Sequence, residues 1–305
     1  MPETSVSSKQ TLSHSAPVKQ PARRSRMRRL TRDYPVLPIL ALGVFVVFSI
    51  FGGVISGYDP ISGVLADRNT PPMWQEGGSS AHFLGTDPLG RDIMTRIMHG
   101  ARISLVVAGI VLAAGAFGGT ALGLISGWFG GVVDELIQRF VEFTIALPFI
   151  LVALVVVIVL GQTLEVIIAL LIVFSWGGFT RQVRAETLQL KNRDYVAFSK
   201  VAGASTSRIL LRHILPGVLN TVTVLISLTV GNLIITESVL SYLGVGIPPP
   251  TPAWGLMVAE GRNYIVDAWW VTFFPGLAIF FTVLAFNFLG DWLRDRLDPN
   301  LRQLV

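Results

Sequence analysis

The sequence predicts an all-α integral membrane protein. Six transmembrane helices are expected, with a cytoplasmic helix–glycine–helix loop between spans 4 and 5. Three observations carry this. The chain has 305 residues, of which 51% are hydrophobic, and its mean hydropathy is +0.62, too apolar for an ordinary soluble domain. Its apolar residues fall in six runs, each long enough to cross a bilayer core of about 30 Å. One polar stretch, Asp194 to Gly217, interrupts those runs and is too charged to continue either neighbour through a membrane.

Residues 1–33 are rich in Ser, Pro, Gln, Lys and Arg without an apolar period, and read as a disordered tail. The tail ends in a basic cluster, Arg23, Arg24, Arg26, Arg28, Arg29 and Arg32. Beside apolar spans such a cluster is a topology signal at the membrane surface rather than a nucleic-acid site. The tail has no apolar h-region, so no cleavable signal peptide is expected.

The remainder, residues 34–305, reads as one six-helix membrane domain. The first span is expected over Pro35–Ser56, with Pro35 and Pro38 in its first turn, where proline costs little. Residues 57–101 form a polar loop. The second span, Ile103–Phe129, carries Gly115, Gly119, Gly123 and Gly127 at four-residue spacing. Four glycines in register put a smooth groove on one helix face and allow close packing against a neighbouring helix. A short amphipathic piece, Val132–Arg139, leads into the third span, Phe140–Leu160, which contains Pro148. The turn Gly161-Gln162-Thr163 opens the fourth span, Leu164–Thr180.

The polar loop 181–216 follows, and its second half reads as two short helices. Tyr195–Ala202 is the first, and Gly203 supplies the left-handed residue that ends it. Ser205 or Thr206 caps the second, Ser207–Leu215, and Pro216 closes it. A unit of this kind between spans is a compact docking platform. The fifth span is expected over Val218–Tyr242, a Pro/Gly-rich loop over 244–267, and the sixth span over Ala268–Leu289 with Pro275 inside it. Of the 24 Lys and Arg, 19 fall on the side of the termini and the platform and 5 on the other. The positive-inside rule then places both termini and the platform in the cytoplasm.

Several chemistries are excluded. The chain has no cysteine, hence no disulfide, thiolate metal site or cysteine nucleophile. The sequences H-E-x-x-H, G-x-S-x-G and G-x-x-x-x-G-K-[ST] are all missing, so neither zinc hydrolysis, serine hydrolysis nor ATP hydrolysis is expected of this chain. His14, His82, His99 and His213 are scattered over tail and loops, which argues against a metal site. Ionisable residues within the spans are few: Glu142, Glu165 and Glu237. Glu165 lies at a helix end, and Glu142 stands one turn from Arg139. Glu237 lies well inside a span with Asn232 nearby, and is read either as part of a substrate path or gate or as a packing carboxylate. So few intramembrane charges weigh against an autonomous proton-coupled carrier.

Three groups in the polar stretch carry a resemblance: Asp194-Tyr195-Val196, Gly203-Ala204-Ser205 and Arg212-His213-Ile214-Leu215-Pro216. They resemble the EAA loop of ATP-binding-cassette importer permeases. The namesake Glu-Ala-Ala is replaced by Ala197-Phe198-Ser199, so an apolar contact from Phe198 stands where a glutamate would. Phe83–Leu105, Thr236–Gly255 and Phe286–Pro299 are similar to the peptide/nickel branch of that family, within it to the C-type subunit. The resemblance covers residues 34–299. It implies a partner B-type permease, two separate ATPase subunits that hold ATP and magnesium, and an extracytoplasmic substrate-binding protein. This chain would bind no cofactor of its own, and its coupling loop would dock an ATPase. Di- or oligopeptides are the expected cargo, with nickel, opines, glutathione and some sugars as the branch's other substrates. A single-chain secondary carrier and a membrane scaffold without transport activity are the readings from other classes.

Overall fold

The computed structural model describes residues 35–297, and among them regular structure is entirely helical. The basic tail and the last residues of the chain, including Asp298 and Pro299 of the third motif, lie outside the described residues.

Helix α1 spans Val36–Ile55. A polar loop with a single 3₁₀ turn, Leu65–Asp67, leads to α2, Ile93–Phe129. This helix starts in the segment expected to be loop, because Asp92 caps it: one carboxylate oxygen accepts from the Thr95 backbone N–H and from its hydroxyl, both at 2.8 Å. At 37 residues α2 is about 55 Å long, well beyond a bilayer core.

The segment expected to be the third span is not one continuous helix. Helices α3 (Gly131–Ala146) and α4 (Phe149–Leu160) meet at 84° across Leu147 and Pro148. Proline has no N–H to donate and forces the residue before it towards extended backbone. Leu147 obeys with φ −78° and ψ 128°. Helix α5, capped by Thr163, runs over Leu164–Leu190 and does not stop at Thr180. After α6 (Asp194–Val201) and the single turn α7 (Thr206–Ile209) comes a π-helical turn, Leu210–Ile214, and then α8, Leu215–Tyr242. Pro216 therefore does not close a helix. It sits in the first turn of α8, where its missing N–H costs little, and the wider π turn delivers the Leu215 N–H to Leu210 O. The polypeptide is helical without a break from Thr206 to Tyr242. Helices α9 (Trp254–Gly261) and α10 (Trp270–Leu297) complete the fold.

Among the described residues, five helices are long and apolar enough to cross a membrane, and the bent α3–α4 pair makes six if it counts as one. The core forms where α2 lies parallel to α5. A Cβ on Gly115 would stand 2.3 Å from Ser175 Oγ, one on Gly119 2.6 Å from Phe179 Cβ, and one on Gly127 2.7 Å from Thr187 Cβ. Gly123 faces the Thr180 carbonyl and Val183 in the same way, so the glycine face receives α5 along its length. Helix α10 packs antiparallel on α8, with Gly290 against Leu228 and Gly231 against Val283 and Asn287.

Candidate functional site

The platform begins at Asp194, in the first turn of α6, where a carboxylate suits the positive end of the helix. Val196 is fully buried, and Ile209 and Ile214 on the return segment join it, so three aliphatic side chains seat the unit in the bundle. Gly203 takes φ +76°. Its N–H donates to Lys200 O and the N–H of Ala204 to Ser199 O, each at 3.0 Å. This pair of bonds is the Schellman closure of a helix. Ser205 then caps α7 by accepting from the Arg208 N–H at 3.4 Å.

Ser199 knits the two arms. Its hydroxyl donates to Tyr195 O at 2.8 Å and lies 3.5 Å from Nε2 of His213, whose ring stands 6.3 Å from that of Tyr195. Leu215 is half-buried, while Ala197 and Pro216 are exposed. The outer surface presents three apolar side chains, Phe198 73% exposed, Val201 88% and Leu211 61%, among exposed Lys200, Arg208 and Arg212.

Three supports of the platform escaped the sequence reading. Lys191 donates to the carbonyls of Gly127 and Trp128 at 3.1 and 3.0 Å, satisfying the end of α2, and Lys200 lies 4.8 Å from the Trp128 ring. Arg184 makes a two-pronged pair with Asp134, at 2.5 and 2.6 Å, which ties α5 to α3. These residues sit in polar stretches where spacing alone names no partner.

The far end of α2 holds a second polar centre that was also missed. Asp87 Oδ2 accepts from Arg91 Nε at 2.6 Å and from Arg96 Nη1 at 2.5 Å. Glu260 of α9 accepts from the same two arginines at 3.0 and 2.8 Å. Asp87 and Arg96 are each 1% exposed. Two cations and two anions make this cluster neutral, which is how buried charge is tolerated. Nearby, Trp270 donates to Thr86 O and Trp254 to Ile97 O. The cluster thus clamps the loop before α2 to α9. The hint in the sequence was the alternating charge of Asp87, Arg91, Asp92 and Arg96.

Glu237 and Asn232 are not brought together. Five residues place them about 140° apart around α8. Asn232 is exposed and lines an open cavity of about 440 Å³. Glu237 is 2% exposed and faces Ser104 and Val107 of α2. Its Oε1 accepts from Ser241 at 2.7 Å, and Ser241 Oγ accepts from the Ile247 N–H at 3.1 Å. Glu165 is exposed in the first turn of α5, and exposed Glu142 lies 3.8 Å from Arg139. Among the described residues no group of His, Asp and Glu is placed to hold a metal ion.

Residues 119–303 match the family model described as binding-protein-dependent transport system inner membrane component. The chain is similar to the dipeptide transport system permease protein DppC of Haemophilus influenzae, with 40% identity over 268 residues, 88% of this chain and 91% of that one. The Escherichia coli protein of the same name is 43% identical over 268 residues, covering 88% and 89%. The glutathione transport system permease protein GsiD of Pectobacterium atrosepticum is 46% identical over 227 residues, covering 74% and 75%.

Proposed function

Because the chain belongs to the family of binding-protein-dependent transport system inner membrane components, we propose that it is the C-type permease of an ATP-driven importer and forms half of a pathway for di- and oligopeptides. The observation that carries the reading is the platform. Val196, Ile209 and Ile214 anchor it in the bundle, while Phe198, Val201 and Leu211 stand outside it on a unit whose second arm is continuous with α8. Exposed apolar side chains set among charged ones on a seated unit suit a protein partner.

The partner in this reading is one of two ATPase subunits, which hold ATP and magnesium. This chain has no phosphate-binding loop of its own. A B-type permease supplies the other half of the pathway. Six spans, with α3 and α4 taken as one, put both termini and the platform in the cytoplasm, in keeping with 19 Lys and Arg against 5. Residues 1–33 are then a cytoplasmic tail and 34–305 the permease domain. The loops over 57–92 and 244–267 face the extracytoplasmic binding protein, and the cluster of Asp87, Arg91, Arg96 and Glu260 keeps them in fixed register.

Peptide cargo is favoured by relatives named for dipeptides. The relative named for glutathione favours a second reading, in which the cargo is that γ-linked tripeptide.

The test is a mild-detergent purification of the tagged chain, with mass spectrometry of what accompanies it. A second permease and ATPase chains are the expected result, and the ligand of the co-purifying binding protein separates peptide from glutathione. A chain that comes out alone and transports in liposomes without ATP overturns the proposal.

A further inference from the structure

Two open cavities, of about 450 and 440 Å³, share one pair of walls, α5 and α8. On α8 the lining residues include Gly217, Thr221, Leu225, Thr229, Asn232 and Thr236, which recur every three or four residues and so form one helical face. Leu225 borders both cavities, so the two spaces adjoin. From Gly217 to Thr236 the face is about 28 Å long, close to the thickness of a bilayer core. On α5, Ser175, Gly178, Gln182 and Glu186 continue the same pattern opposite. Hydroxyls and amides are costly against hydrocarbon but not against water. Leu225 on this face and Leu171, Phe174 and Phe179 on α5 are apolar, but a row of hydroxyls and amides of this length, open on one side, fits a wall of an aqueous passage.

The platform end of the face carries charge of both signs. Glu186 accepts a hydrogen bond from the Thr221 hydroxyl, and Arg294 of α10 lines the same cavity. A carboxylate and a guanidinium at one opening match a solute with a free ammonium and a free carboxylate.

Resting on the permease reading above, we propose that this face of α5 and α8 is the wall this chain gives to the solute pathway. Glu186 and Arg294 form a mouth selective for zwitterions with free termini, such as unblocked peptides. The mouth accepts charge of either sign, and each residue acts on its opposite.

The chain has no native cysteine, so an introduced thiol is its only one. In the assembled importer in lipid nanodiscs, Asn220→Cys, Thr229→Cys and Asn232→Cys are treated with a cationic or an anionic methanethiosulfonate. Leu219→Cys and Ile235→Cys, exposed but lining neither cavity, serve as controls. The expected result is fast modification at the first three positions and slow modification at the controls, with both reagents active at Asn220→Cys. Adding Glu186→Gln should slow the cationic reagent roughly fivefold and leave the anionic one unchanged, and Arg294→Gln should do the reverse. A purely structural role would move both rates together and overturn the mouth. Equal labelling of both sets, in a complex that still imports with ATP, overturns the wall and leaves the permease reading standing. No ATP-dependent import and no co-purifying ATPase would remove both.

Discussion

Gly119 of α2 and Phe179 of α5 approach so closely that a Cβ on the glycine would stand 2.6 Å from the Cβ of the phenylalanine. The Trp176 carbonyl lies at the same distance, so the collision involves backbone and cannot be relieved by a rotamer change. Gly119→Val is expected to destabilise the bundle by about 1–3 kcal/mol. Gly118, with nothing within 4 Å, is the control, and Gly118→Ala should leave stability unchanged. Thermal unfolding of the two variants in detergent separates them.

Gly203 combines a φ of +76° with an N–H bonded to Lys200 O. Proline fixes φ near −65° and removes that donor, so Gly203→Pro breaks the closure between the platform's arms. We expect the variant to insert and to assemble, with ATP hydrolysis uncoupled from uptake. Parallel assays of phosphate release and labelled-peptide uptake test this, and normal uptake would rule out a coupling role for the platform.

Phe198 is 73% exposed and contributes little to the fold itself. Phe198→Asp should leave the melting temperature unchanged while weakening ATPase association. An interface anchor worth about 2 kcal/mol corresponds to a loss of roughly 30-fold in affinity. Titration of the purified permease pair with ATPase subunits measures it.

Asp87 and Arg96 behave as a buried couple. Replacing one partner strands the other's charge, and Arg96→Met is expected to cost about 3–5 kcal/mol. The double replacement, Asp87→Leu with Arg96→Met, should cost less than the sum of the two single ones. Melting temperatures of the three variants close the cycle. Additive losses would show that the two residues are energetically independent.

Apolar runs made the spans legible, because a bilayer demands length and hydrophobicity before anything else. Gly203 was legible for a similar reason, since the end of a short polar helix needs a left-handed residue. Boundaries that depend on one capping group or one proline were harder to see. Asp92 starts α2 inside a polar segment that hydropathy assigns to a loop. Pro148 breaks a run expected to be continuous, and Pro216 begins a helix it was expected to end. Local sequence offers each proline both roles, and tertiary packing selects one. Glu260 illustrates a different limit. Its partners lie 164 and 169 residues away in the chain, and no periodicity connects positions so distant.

The unbroken helical path from Thr206 to Tyr242 has a mechanical consequence. Its 37 residues make a rod about 55 Å long, and a tilt of about 5° at the platform would carry the other end through roughly 5 Å. That end is tethered. Ser241 holds the Ile247 N–H at 3.1 Å, and the neighbouring Gly246 carbonyl accepts from Gln162, in the turn before α5, at 2.9 Å. A push on Phe198, passed between the platform's arms at the Ser199–His213 contact, would therefore reach the α4–α5 corner at the far end of the rod through the two hydrogen bonds that tether it.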